Sequence, residues 1–178
     1  MKILTYPNDK LREKCLSVEK FDDELKSIIA EMYTIMLAHD GVGLAAPQVG
    51  ISKRLFILEN GIVGEAGKGK PLIFINPEEI VLSGPEEEGQ EGCLSFPGIF
   101  TLLKRKNYVK IRAQDVNGEW FSLEGDGLFS RAVQHEYNHI NGKLFVDLLG
   151  AWQRNVINKN MRKSKRDVNK LTKTISSR

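Results

Sequence analysis

Apolar residues recur along this chain with two periods. Between Asp22 and Asp40, the residues Leu25, Ile28, Ile29, Met32, Ile35 and Met36 fall three or four apart, which predicts a helix that starts at Asp22-Asp23 and stops before Gly41. Leu128, Phe129, Ala132, Val133 and Ile140 repeat that spacing, with Asp126 placed to cap the first turn and Gly142 to end the helix. Short apolar runs at 53–59 and 72–75 read as strands; Asn76-Pro77 ends the second, and Ile80-Val81-Leu82 continues the sheet. Tyr108 to Ala113 alternates charged and apolar residues, Asp115-Val116-Asn117-Gly118 turns the chain, and Trp120 to Leu123 returns as the second arm of a hairpin. Lys143 to Asp147 predicts one more strand, and Trp152, Val156 and Ile157 open a C-terminal helix. The pattern predicts an α+β fold: mostly antiparallel sheet around the second helix, with one helix near the N-terminus and one at the C-terminus.

The second helix carries chemistry. Gln134-His135-Glu136-Tyr137-Asn138-His139 is an H-E-x-x-H motif. With about 3.6 residues per turn, His135 and His139 leave one face a turn apart and can reach a single metal ion. The stripe through Leu128 and Ala132 passes through both histidines, so they are expected to point into protein. Glu136 lies about 100° round the turn, the position of a general base for water at the metal. Two ordinary, partly buried histidines are the plainer alternative.

Composition narrows the class. The 178 residues fit one domain with an appendage, and 41% hydrophobic and 28% charged content suit a globular protein. No apolar run approaches the ~20 residues of a membrane span, and Met1 to Pro7 lacks the apolar stretch of a signal peptide, so a cytoplasmic protein is expected, without membrane or DNA as partner. The net charge of +3 hides an asymmetry: residues 151–178 hold nine Lys or Arg against the single Asp167. Residues 1–150 are therefore read as the catalytic domain and 151–178 as a basic helix or tail. Cys15 and Cys93 are expected to be free thiols, Cys15 as a small buried residue.

Other segments are less specific. The cluster Glu86, Glu87, Glu88 and Glu91 precedes Gly92-Cys93-Leu94-Ser95; Glu86 to Glu88 read as a solvated loop, while the turn around Cys93 can aim its sulfur inward. A thiolate with two imidazoles makes three ligands and leaves a fourth position open, the pattern of a catalytic centre. Gly41 to Gly50 is small and glycine-rich, with Gln48 offering an amide donor, yet a plain loop would look similar. His39 is expected to be a surface or capping residue, and Gly61 to Lys70 to form a mobile loop.

Taken together, Gly41-Val42-Gly43-Leu44-Ala45-Ala46-Pro47-Gln48, Glu91-Gly92-Cys93-Leu94-Ser95 and Gln134-His135-Glu136-Tyr137-Asn138-His139 resemble the three signature motifs of peptide deformylases, over about residues 1–150. The resemblance implies hydrolysis of the N-formyl group from the formylmethionine of newly made polypeptides, releasing formate. It implies Cys93, His135 and His139 as ligands of a divalent metal, Fe²⁺ first, with Zn²⁺, Ni²⁺ or Co²⁺ as other occupants. It implies Glu136 as general acid/base, Gln48 and the Leu94 N–H as an oxyanion hole, and Val42 and Gly43 bordering N-formylmethionyl substrates that lie alongside like an added strand. In some relatives a C-terminal helix docks on the ribosome, which nine basic residues would suit; a solvated end is the alternative. Asn138 stands where the family commonly has Asp, and Ile140 where Leu is usual. Asn138 is expected to pair less strongly than Asp with Arg105 and so to loosen support for the metal helix. Zinc endopeptidases share H-E-x-x-H but commonly take a third ligand downstream, and no histidine follows His139. A non-enzymatic ribosome-binding scaffold would be expected to lack Glu136 or Cys93, and both are present.

Overall fold

The computed structural model describes residues 1–63 and 69–176, without the side chains of Glu79 and of residues 164–176. Helix α1 (Asp23–Ala38) leads into the strands β1 (Gly43–Ala45), β2 (Leu55–Glu59), β3 (Pro71–Gly92), β4 (Phe100–Gln114) and β5 (Trp120–Asp126). Helices α2 (Gly127–Ile140) and α3 (Ala151–Ser176) follow. The strands form one antiparallel sheet in the order β1-β2-β3-β4-β5.

The sheet is covered on both faces, which explains the unbroken apolar run of β2. Leu55 and Ile57 of β2, with Ile75, pack against Leu25, Ile29, Met32 and Met36 of α1. Phe56 and Leu58 face the other way, with Phe74, Val109 and Ile111, onto Phe129, Ala132, Val133 and Ile140 of α2. Leu128 departs from the expected core stripe and is exposed, at the mouth of a cavity. A third apolar cluster joins Leu11, Phe96, Leu103, Phe145, Val146, Ile157 and Met161 beneath α3.

Helix ends follow local chemistry. The Asp22 carboxylate caps α1 by accepting from the Leu25 N–H at 3.0 Å. Asp126 occupies the same position before α2 but makes no cap bond; Asn107 of β4 accepts from the Gly127 N–H instead, at 3.0 Å. Past the C-terminus of α2, the Gly142 N–H donates to His139 and the Lys143 N–H to Asn138, with Gly142 at φ +70°, a Schellman stop. The His39 ring meets the Ile35 carbonyl at 2.9 Å and so caps α1, as expected.

Three expectations about the strands are also corrected. Asn76-Pro77 does not end its strand: β3 runs through a bulge there, with Asn76 at φ +49° and its side chain bonded to both backbone groups of Val18 and to Gln114. Glu86, Glu87 and Glu88 are not a loop: they pair with Lys106, Arg105 and Lys104 of β4, and Lys106 Nζ lies 3.9 Å from the Glu86 carboxylate. Lys143 to Asp147 is not a strand; a 3₁₀ turn spans Phe145–Leu148, closed by the Leu144 N–H donating to the Asp147 carboxylate at 2.9 Å. The run Leu144-Phe145-Val146 is buried all round, and so short a run does not distinguish strand from helix. Residues 64–68 of the expected loop over Gly61 to Lys70 lie outside the described residues, as do the basic side chains from residue 164 onward.

Candidate active site

A cavity of about 550 Å³ opens where α2 meets β1 and the end of β3. Cys93 and His135 line it, and their ligand atoms and that of His139 lie within 4.8 Å of one another, with Cys93 Sγ 3.3 Å from His139 Nε2. Each arrives there for a local reason. His135 and His139 sit one turn apart on the inner face of α2 and are 7% and 1% exposed. Cys93 follows β3 directly and opens a β-turn in which the Phe96 N–H donates to the Cys93 carbonyl at 2.8 Å. That bond leaves the N–H groups of Leu94 and Ser95 outside the turn's own pairing.

The second nitrogen of His135 is spoken for. Its Nδ1 lies 3.0 Å from Glu91 Oε2, which fixes the proton on that side and leaves Nε2 for the neighbouring sulfur and imidazole. Glu91 is 5% exposed and also accepts from Arg105 Nε and Nη2 at 2.8 and 2.9 Å and from Arg131 Nη1 at 2.9 Å. Burial opposes its charge, but the hydrogen bonds from Arg105 and His135 prevail and pull its pKa down to about 2. Burial likewise opposes charge on His135, yet bonding to Cys93 and Glu91 holds its pKa up at about 10. His139, buried beside it, is pushed well below the usual value. A thiol and two imidazoles thus converge on one point, and a soft divalent cation is what that donor set takes. The residues present therefore fit a metal.

Around this centre stand the other residues singled out from the sequence. Glu136 is 4% exposed, and burial lifts its pKa to about 7; its Oε2 is buried without a hydrogen-bond partner among the described residues. Gln48 is held by its Oε1, which accepts from the Ala45 N–H at 2.8 Å, so that Nε2 points to Cys93 Sγ at 3.5 Å and Ser95 Oγ at 3.3 Å. Val42, Gly43 and Leu94 line the cavity, and β1 is an edge strand of the sheet. A side chain at Gly43 would place its Cβ 2.6 Å from Glu136 Oε1, so the glycine is what lets β1 pass the carboxylate. The structure thus brings Val42, Gly43, Gln48, Cys93, Leu94, His135 and Glu136 around one cavity, with His139 against Cys93 beside it.

The expected pairing of Arg105 with position 138 is not found. The Arg105 guanidinium is turned to Glu91, and the Asn138 side chain makes no hydrogen bond among the described residues. Sequence reasoning also missed Arg131 and Ser95. The signal for Arg131 was its place one turn before His135, on the stripe that carries both histidines; Ser95 carried none. Cys15 is a free, buried thiol, as expected, with its pKa pushed up to about 11 by burial.

The polypeptide deformylase family model matches residues 1–155. A peptide deformylase of Hahella chejuensis is 44% identical over 163 residues, 92% of this chain and 95% of that one. One of Clostridium botulinum is 48% identical over 145 residues, 82% and 93% of the two chains. The crystal structure of a peptide deformylase from Legionella pneumophila superposes with a TM-score of 0.84 at 42% identity, covering 93% of this chain and 95% of that one. No helix among the described residues is long and apolar enough to cross a membrane. With fold, motifs and relatives in agreement, this chain belongs to the polypeptide deformylase family, metal-dependent enzymes that remove the N-formyl group from newly made polypeptides.

Proposed function

We propose that this chain deformylates N-formylmethionyl peptides with Cys93, His135 and His139 holding the divalent metal. The observation that carries the reading is the convergence of these three ligand atoms within 4.8 Å beside a cavity that Cys93, His135, Glu136 and Gln48 line. When bound, the cation supplies Lewis-acid activation of water and of the formyl oxygen. The chain's own groups do the rest. Glu136 accepts a proton from the attacking water and returns it to the nitrogen as the formyl C–N bond breaks, releasing formate and a free amine. Burial raises the Glu136 carboxyl from the usual carboxylate range toward neutrality, the direction that suits both tasks. Gln48, its carbonyl end tied to Ala45, donates from Nε2 to the developing oxyanion, with the Leu94 N–H as second donor. The free edge of β1 at Val42 and Gly43 receives the peptide backbone as an added strand.

Fe²⁺ is the proposed native ion, on the family resemblance; the same thiolate and imidazoles suit Zn²⁺, Ni²⁺ and Co²⁺. Anaerobic purification with metal analysis, followed by formate release from a formyl-Met peptide, tests this; iron without activity, or activity without stoichiometric metal, would overturn it. We further propose that residues 1–150 form the catalytic body, that the enzyme works in the cytoplasm, and that 151–178 contact the ribosome. Support for the last is the basic composition of α3 together with Trp152, 77% exposed at its start. Salt-dependent co-sedimentation with ribosomes, lost on truncation after Trp152, is the expected result; equal sedimentation of the truncated chain would refute it.

A further inference from the structure

The Cys93 ligand ends a strand and the two histidines ride a helix, so the spacing of the three depends on how β3 is fixed against α2. Arg131 is placed to fix it. It lies on α2 one turn before His135, and its guanidinium crosses to the sheet. Nη2 donates to the Glu87 carbonyl at 2.8 Å; Nη1 donates to the Gly89 carbonyl at 3.4 Å, the Leu103 carbonyl at 3.0 Å and Glu91 Oε1 at 2.9 Å. One side chain thus joins α2 to β3, to β4 and to the carboxylate that orients His135.

An independent feature marks the spot as built for this group. A Cβ on Gly89 would lie 2.7 Å from Arg131 Nη2 and 2.8 Å from Cζ, so the strand has no side chain where the planar fork lies against it. A lysine cannot replace the fork, because an ammonium is a point donor and the four acceptors are spread over two strands. Arg105 does not duplicate it either: its described bonds go to Glu91 alone, within the sheet.

We propose that Arg131 is a positioning residue for the metal centre: it locks the strand that presents Cys93 to the helix that presents His135 and His139, and so sets how tightly the metal is held. This rests on the reading of those three residues as the ligands. Loss of a partner that orients metal ligands typically costs about 10- to 100-fold in metal affinity.

The test uses the full-length enzyme loaded with cobalt(II), in three forms: wild type, Arg131→Lys and Gly89→Ala. The last keeps every charge and displaces only the fork. Cobalt release to excess chelator is expected to be about 10- to 100-fold faster in both variants, with a shifted thiolate-to-cobalt absorption band and with thermal unfolding of the metal-free forms changed far less. Release rates and bands equal to wild type in either folded variant overturn the proposal. So does loss of thermal stability with unchanged release, which is what a merely structural residue would give. A measurement on the wild type alone covers variants that fail to fold. Linkage requires that if Arg131 favours metal binding, metal binding restrains Arg131. The Arg131 guanidinium N–H signals are expected to exchange with solvent more slowly in the loaded enzyme than in the metal-free one, and equal exchange overturns the proposal. A loaded wild type with no thiolate band would instead overturn the ligand assignment itself.

Discussion

Replacing Glu91 by Gln is the perturbation whose cost is most readily worked from the structure. Glu91 is 5% exposed and accepts from two arginines and from His135. Its pKa is about 2 in place of 4.5, and at about 1.4 kcal/mol per unit this amounts to ~3 kcal/mol of folding free energy. Stranding a buried charge by deleting its partner costs about 3–5 kcal/mol, and Gln keeps one acceptor, so the low end applies. Because the folded pKa is depressed, the contribution is complete above about pH 4.5 and is lost as pH falls toward about 2. The assay is urea unfolding of metal-free wild type and Glu91→Gln between pH 7 and pH 3. At pH 7 the variant is expected to be ~3 kcal/mol less stable, a midpoint shift of about 1.5 M for a urea slope of about 2 kcal/mol/M. By pH 3 the difference is expected to fall to roughly half. Stabilities within 0.5 kcal/mol (about the scatter of ordinary surface substitutions), or a difference that is flat with pH, would refute the buried-carboxylate argument.

Three further outcomes follow from the site. Gln48→Ala is expected to lower kcat by about 10²–10³ with little change in KM, read by steady-state kinetics on a formyl-Met peptide; a change confined to KM would assign Gln48 to substrate binding. Gly43→Ala forces apart a Cβ and Glu136 Oε1 that would sit 2.6 Å from each other, and is expected to cost about 10² in kcat while metal content stays at one per chain. Burial places the Glu136 carboxyl at about 7 and a bound cation opposes that shift, so kcat/KM is expected to rise with pH through an acid limb at or below about pH 7. Glu136→Gln is expected to abolish turnover at every pH without releasing metal, and residual activity with the same acid limb would assign the limb to another group.

What could be read from the sequence had local causes. The α1 and α2 stripes are visible because each buries a face whose period is set by its own backbone, and the β2 run because both of its faces are covered. His135, Glu136 and His139 were legible for the same reason, since one helix turn relates them. The misreadings over Asn76-Pro77 and Glu86 to Glu88 concern partners remote in sequence. Nothing near Glu86 to Glu88 shows that Lys104 to Lys106 stand opposite, and an isolated acidic run looks solvated. Glu91 and Arg105 are buried charges that make sense only as a pair, and Arg131 only once Gly89 is seen to leave it room. The three segments that resemble the family were informative because their resemblance carries this missing long-range pairing.

X-ray absorption of the zinc-loaded enzyme tests the account most directly, because it reports the ligands without reference to activity. One sulfur at about 2.3 Å and two imidazole nitrogens at about 2.0–2.1 Å are expected, with the sulfur absent from a Cys93→Ser sample. A zinc site without sulfur, or one whose sulfur survives that substitution, would contradict the proposed centre.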